Sequence, residues 1–178
     1  RACAILTGIG TVLEDDPLLN VRGVDTARQP HLVGVDSRLD MPLSAKLLGT
    51  QGTGEQARQI WIYTAAPATA TFENLDKRAA LTARGVTVID CPGPGGKVDL
   101  AAMLRDLARR EINELHVEAG HKLNGSFIRE GLVDEFLVYL APQLLGPGQG
   151  LANLPALTEL SGAVQLAFHA VDRIGPDL

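Results

Sequence analysis

The stretch Leu115-His116-Val117-Glu118-Ala119-Gly120-His121-Lys122-Leu123-Asn124-Gly125-Ser126-Phe127 decides the fold. A short apolar run passes through a glycine-bearing turn into a segment that opens a helix, the βα junction of an open α/β sheet. Amide donors at a helix start, backed by the positive end of the helix dipole, hold an anion without a dedicated cation. Gly120 and Gly125 let the backbone approach such a ligand, although Gly120 reads equally well as a residue that only turns the chain. Alternation along the strand puts His116 and Glu118 on one face and Leu115 and Val117 on the other, so Glu118 arrives at the carboxyl end. Ligands of open α/β sheets bind at that end.

Upstream of this junction, Ala2 to Leu6, His31 to Asp36, Ile60 to Thr64 and Val86 to Asp90 are short apolar or β-branched runs bounded by turn residues. Each is expected to be a buried strand. Phe72 to Arg84 and Asp99 to Glu111 carry apolar residues at helical spacing, with Ala101, Leu104, Leu107 and Ala108 read as one stripe. Strands alternating with helices imply a mostly parallel sheet. The last third differs: Phe136 to Ala141 and Val164 to Val171 read as strands joined by a Gly- and Pro-marked excursion without a crossover helix. That pattern predicts an antiparallel pair closing one edge. The first of these, placed at an edge and flanked by Asp134 and Glu135, is expected to pair with its copy in a homodimer. Gly49 to Glu55 and Cys91 to Lys97 read as flexible turns.

With 178 residues and 46% hydrophobic content, the chain is expected to form one domain with a well-buried core. A net charge of −5 and 4% aromatic residues argue against a nucleic-acid surface, since neither a basic patch nor stacking platforms stand out. Cys3 and Cys91 have no paired spacing, which points to a reducing compartment rather than a disulfide framework. No apolar run is long enough for a membrane span and no signal-peptide pattern is present, so a soluble, cytoplasmic location is expected.

A second constellation, Ile5 to Arg22, runs from a strand through Gly8-Ile9-Gly10-Thr11 to a short helix stopped before Pro17. It is not a dinucleotide fingerprint, because Leu13 stands where the third glycine belongs. Thr11 can cap the helix or touch a ligand. Asp15 and Asp16 read either as a solvated helix-terminal pair or as catalytic carboxylates, and Arg22 either as a surface cation or as a fork for phosphate. His116-Val117-Glu118 matches half of a zinc deaminase signature. No Pro-Cys-x-x-Cys follows, the ligand count fails, and no metal is expected.

Taken together, Thr7 to Arg22, Val35-Asp36-Ser37-Arg38 and His116 to Gly146 closely resemble the reductase domain of the bifunctional riboflavin-biosynthesis deaminase-reductase family. The specific patterns are Val117-Glu118-Ala119-Gly120, Leu123-Asn124-Gly125-Ser126-Phe127, Gly131-Leu132-Val133-Asp134-Glu135 and Leu140-Ala141-Pro142-Gln143-Leu144-Leu145-Gly146. The resemblance implies a dihydrofolate-reductase-like α/β fold, with helices on both faces of the sheet. It implies NADPH-dependent reduction of 5-amino-6-(5-phosphoribosylamino)uracil to 5-amino-6-(5-phosphoribitylamino)uracil, a small-molecule substrate. By position in the motifs, Thr11, Asp15, Ser37 and the turn of Gly120, His121, Lys122, Leu123, Asn124, Gly125 and Ser126 would contact NADPH. Leu19, Arg22 and Glu118 would meet the substrate, with Glu118 and Asp15 as the groups that assist chemistry.

Against the family pattern, a first strand bearing a Lys and a Ser-Leu-Asp-Gly-type turn is missing, as is most of a last strand after Gly175-Pro176-Asp177. No deaminase domain is expected within these 178 residues, so only the reduction step is expected of them. The expected organisation is therefore a single reductase domain over 1–178. Two other functions fit parts of the pattern: a pterin or folate reductase of the same fold, which would not need Arg22 for a phosphate, and a noncatalytic NADPH-binding or dimerisation module. The sequence itself offers no argument for NADPH over NADH, because no arginine can be placed on an adenosine 2′-phosphate.

Overall fold

The structure is a computed structural model that describes residues 2–51, 57–67 and 71–177. It divides into two compact units, Arg1–Gly120 and His121–Leu178.

The first unit is built on five strands, β1 (Ala4–Gly8), β2 (His31–Val35), β3 (Ile60–Thr64), β4 (Val86–Asp90) and β5 (Leu115–Val117). All neighbouring pairs run parallel, in the order β4-β3-β2-β1-β5. The chain steps from β1 outward to β4 and then returns across the sheet to lay β5 on the other side of β1. Register places Leu32 beside Ile60 and Ile60 beside Val86, so these residues share a face. They join one apolar cluster with Val12 of α1 (Ile9–Asp15), Leu81 of α2 (Phe72–Thr82) and the loop residues Leu39, Met41, Leu47 and Leu48. Leu6, Val33, Trp61 and Tyr63 lie on the opposite face, and α3 (Leu100–Arg109) is tied to it where Tyr63 Oη donates to Asp106 Oδ2 at 2.7 Å. Helices therefore cover both faces, as the resemblance implied.

Local signals account for the element ends. Asp99 caps α3 by accepting from Ala102 N at 2.8 Å, and Thr71 caps α2 by accepting from Asn74 N at 3.1 Å. The helix α1 ends at Asp16, which takes a left-handed conformation (φ 44°) before Pro17. The buried stripe of α3 is Leu100, Met103 and Leu107, which shares only Leu107 with the expected one, and Ala108 is exposed. Both sets fit helical spacing, and the larger side chains take the core side because they remove more apolar surface from water. Cys91–Lys97 forms a tight turn: Gly93 N donates to Lys97 O at 2.7 Å, and a Cβ on Gly93 would stand 2.9 Å from the Asp99 backbone. The other expected loop begins in a 3-10 turn at Lys46–Gly49, while residues 52–55 lie outside the described residues.

The second unit corrects the expectation of an antiparallel edge. Neither Phe136 to Ala141 nor Val164 to Val171 forms a strand, and the sheet is parallel throughout its described pairs. Consecutive residues of an extended segment point to opposite sides. Yet Leu137, Val138, Tyr139 and Leu140 are all 57% to 65% exposed. With neither side buried, nothing selects a register or offsets the entropy of ordering the segment. The regular element of this unit is α4 (His121–Arg129), with a 3-10 turn at Leu160–Gly162.

Candidate functional site

Because the strand order reverses beside β1, the carboxyl ends of β1 and β5 form the crevice where open α/β sheets take ligands. The residues past those ends are Ile9 to Thr11 on one side and Glu118 to Gly120 on the other. Glu118 N donates to Leu6 O at 2.8 Å, which fixes its backbone to β1 while its side chain stays exposed. A Cβ built on Gly120 would meet only the Thr11 hydroxyl, at 3.7 Å. Thr11 and Gly120, 109 positions apart in the chain numbering, thus stand together, and the Gly120 backbone is open to close approach.

The other residues of the N-terminal constellation have separate duties. Asp15 is exposed at the end of α1. Its neighbour Asp16 is the structural carboxylate, accepting from Lys46 N at 2.8 Å and pairing with Lys46 Nζ at 3.4 Å. Leu19 is buried, takes a positive φ of 48°, and offers its carbonyl to Arg58 Nη2 at 2.8 Å. Arg22 is exposed three residues further on.

Beyond β2, Asp36 is fully buried, and its two carboxylate oxygens accept from Asp40 N at 2.9 Å and Met41 N at 2.7 Å. Burial raises its pKa above the ordinary carboxylate value, while the two amide donors pull the other way. The turn between is closed by Leu39 N donating to Asp36 O at 3.2 Å, with Leu39 buried at φ 62°. Ser37 Oγ accepts from Val98 N at 3.2 Å, leaving its own proton available.

In the second unit, several residues of the expected cofactor turn are engaged within the unit. Asn124 Nδ2 donates to Leu151 O at 3.1 Å, and Ser126 Oγ donates to Lys122 O at 3.2 Å while accepting from Arg129 Nη2 at 3.0 Å. Gly125 is required by packing: an added Cβ would lie 2.3 Å from Asn153 O. Asn153 N in turn donates to His121 O at 2.8 Å. Lys122 is exposed, and His121 and Leu123 are half-buried at the helix start, where amide donors face outward along the axis.

Sequence reading missed Arg58. Its side chain is buried and donates to Pro30 O at 2.7 Å, Leu19 O at 2.8 Å and Thr50 Oγ1 at 3.1 Å, so it pins the Leu19 loop to the start of β2. Burial pushes its pKa down to about 10, which still leaves a cation at neutral pH. An arginine one residue before a polar glutamine carries no periodic signal, so only the fold reveals it. The Asp36 clamp was equally hidden, although an Asp directly after a buried strand is a turn-forming residue.

Comparison with known proteins places these features in a family. The model of the RibD C-terminal domain matches residues 1–178. The riboflavin biosynthesis protein RibD of Aquifex aeolicus is 34% identical over 178 residues, covering 100% of this chain and 45% of that protein. The 2,5-diamino-6-ribosylamino-4(3H)-pyrimidinone 5′-phosphate reductase of Methanothermobacter thermautotrophicus is 34% identical over 183 residues, covering 100% of this chain and 78% of that protein. Among solved structures, Acinetobacter baumannii RibD superposes with a TM-score of 0.78 at 27% identity, over 99% of this chain and 45% of that one. The chain thus spans about half the length of the RibD proteins it matches.

Proposed function

This chain belongs to the RibD C-terminal domain family, and from that premise we propose that it reduces 5-amino-6-(5-phosphoribosylamino)uracil to the ribitylamino compound with NADPH. The observation that carries the reading is the strand reversal, which brings the first turn of α1, with Gly10 and Thr11, and Glu118 to adjacent carboxyl ends. The names of relatives support the reaction, since Buchnera aphidicola 5-amino-6-(5-phosphoribosylamino)uracil reductase aligns with 100% of this chain at 26% identity. A dihydrofolate-reductase-like arrangement belongs to the same reading.

The residues present fit a dinucleotide. In the first unit, Thr11 and Ser37 supply hydroxyls and the open Gly120 backbone allows close approach; the second unit, taken by itself, carries at the start of α4 amide donors of the kind that hold a phosphate. When bound, a reduced nicotinamide supplies the hydride that the sugar C1′ receives. Arg22 holds the ribose phosphate as a two-pronged donor, and Leu19, locked by Arg58, sets where that arm begins. Glu118 hydrogen-bonds the opened sugar or the uracil and assists proton transfer to the imine nitrogen as C1′ is reduced, without having to be the acid itself. Asp15 orients the sugar from the end of α1. Because the hydride donor is carried by the nucleotide, the main task of these side chains is alignment.

The test is NADPH oxidation at 340 nm with the deaminated phosphoribosylaminouracil, together with calorimetric NADPH binding. Turnover is expected from the parent chain. Glu118→Gln should lower kcat by about 100-fold with NADPH affinity nearly unchanged. Arg22→Ala should raise KM for the phosphorylated substrate about tenfold or more. Equal loss of NADPH binding in both variants would overturn this division of roles, and cofactor binding without turnover would favour a noncatalytic module. Sedimentation of the same sample as a dimer is expected, and a monomeric mass removes a homodimer from this reading.

A further inference from the structure

From Leu19 to Pro30 the chain leaves the core, carries Arg22 outward and returns to β2 with no regular element of its own. A segment of this kind keeps one shape only where its two legs are tied together, since nothing else offsets the entropy of ordering it. We propose that Gln29 is the positioning residue of this arm: its carboxamide clamps the Val21 backbone and so holds Arg22 in place for the substrate's phosphate. The proposal rests on the reading above that Arg22 meets that phosphate.

Two side chains join the legs. Arg58 forms the rung nearer the core, donating to Leu19 O at 2.8 Å on the outgoing leg and to Pro30 O at 2.7 Å on the returning one. Gln29 forms the outer rung. Its Oε1 accepts from Val21 N at 2.7 Å, and its Nε2 donates to Val21 O at 3.3 Å. One side chain thus satisfies both polar groups of one residue, as a neighbouring strand would. Glutamine suits the task because its carboxamide carries a donor and an acceptor side by side, whereas a carboxylate would bring no donor to the Val21 carbonyl.

This outer rung lies one residue before Arg22. One residue after Arg22 stands Gly23, at φ 75° with open space where a side chain would be, and residues 22–28 are all exposed. Order therefore reaches Arg22 from the Val21 side. An exposed arginine loses rotamer freedom when it grips a phosphate, and a backbone that had to be ordered at the same moment would add to that loss. With Val21 already held, only the side chain remains to be fixed. The contribution of Gln29 is accordingly to affinity for the phosphorylated substrate and not to the hydride step.

The test is steady-state kinetics of the chain with NADPH, on the phosphorylated substrate and on the same compound without its phosphate. Gln29→Met keeps the length of the side chain and removes both bonds. It is expected to raise KM for the phosphorylated substrate about fivefold. The value of kcat, NADPH affinity by calorimetry, and kcat/KM for the unphosphorylated compound should each stay within about twofold of the parent. In an Arg22→Ala background the same substitution should change KM less than about twofold, because the group it positions is gone. Thr26→Ala breaks a bond at the tip of the arm, from Oγ1 to Arg28 O at 2.7 Å, and should leave KM as in the parent. An unchanged KM in Gln29→Met, an equal rise for both substrates, or the full rise retained without Arg22 would overturn the clamp and leave the reductase reading standing. A rise of the same size in Thr26→Ala would also overturn it, since general order of the arm would then set the affinity. A parent chain that reduces neither compound removes both readings.

Discussion

The two units of this chain use similar apolar material to different ends. In Arg1–Gly120, strands only three to five residues long form because each lies beside a parallel neighbour; the inner β2 and β3 are almost wholly buried, while β4 and β5 at the edges are only partly so. In His121–Leu178, equally apolar runs such as Leu137 to Leu140 stay exposed and form no strand. Apolar composition therefore does not make a strand. A backbone partner and one covered face are what convert a run of leucine and valine into ordered sheet.

The first unit adds polar clamps to its sheet, and the largest expected effect comes from removing one. Arg58→Met deletes three hydrogen bonds to Pro30, Leu19 and Thr50 and leaves buried acceptors without donors. The expected cost is about 3 kcal/mol. Urea unfolding followed by Trp61 fluorescence would measure it. A loss under about 1 kcal/mol would break the comparison, since apolar packing alone would then hold the unit.

The second unit is held differently, by the strap of residues 151–153 against α4. Gly125→Ala forces a methyl group into backbone atoms of Asn153, the nearest at 2.3 Å, and one side must move. The expected cost is roughly 2 kcal/mol, read most directly as faster amide exchange at Asn153, whose N–H bonds to His121 O. Unchanged exchange would mean that this unit tolerates rearrangement without loss, which would sharpen the contrast with the first.

How far the sequence carried the fold follows the same division. Parallel strands β1 to β5 were legible because each is a short apolar run with turn residues at both ends, and the face assignment of Glu118 followed from alternation. The α3 stripe was misread by one face position, because Ala101, Leu104, Leu107 and Ala108 fit the helical period as well as Leu100, Met103 and Leu107 do. Phe136 to Ala141 was misread as a strand because propensity reports what a segment could do once paired, and the pairing is non-local. The placement of Thr11, Gly120 and Glu118 just past strand ends was legible from local chemistry. Arg58 and the Asp36 clamp were not, since their partners lie in other segments or turn inward.

The smallest effect tests whether the first unit responds to pH at one identifiable bond. His31 Nδ1 accepts from Gln59 N at 2.9 Å, at the point where β2 and β3 begin, and its ring lies 5.2 Å from Trp61. Burial first, and then the charges of Arg28 and Arg58, lower its pKa below the ordinary 6.5. The folded chain therefore binds this proton less readily than the unfolded chain. The contribution is fully present above pH 6.5 and is lost as pH falls below it toward the depressed folded value. Protonation also turns the Nδ1 acceptor into a donor facing the Gln59 amide. His31→Asn keeps an acceptor that does not titrate, so its stability should fall less than that of the parent chain between pH 7 and pH 5 on the order of those two values. Gln59 amide exchange should show the same difference while the Leu132 amide, bonded to Phe127 O at 3.0 Å in the second unit, does not. Identical pH slopes in both chains would place the acid sensitivity on other groups and leave this bond indifferent to the charge of its acceptor.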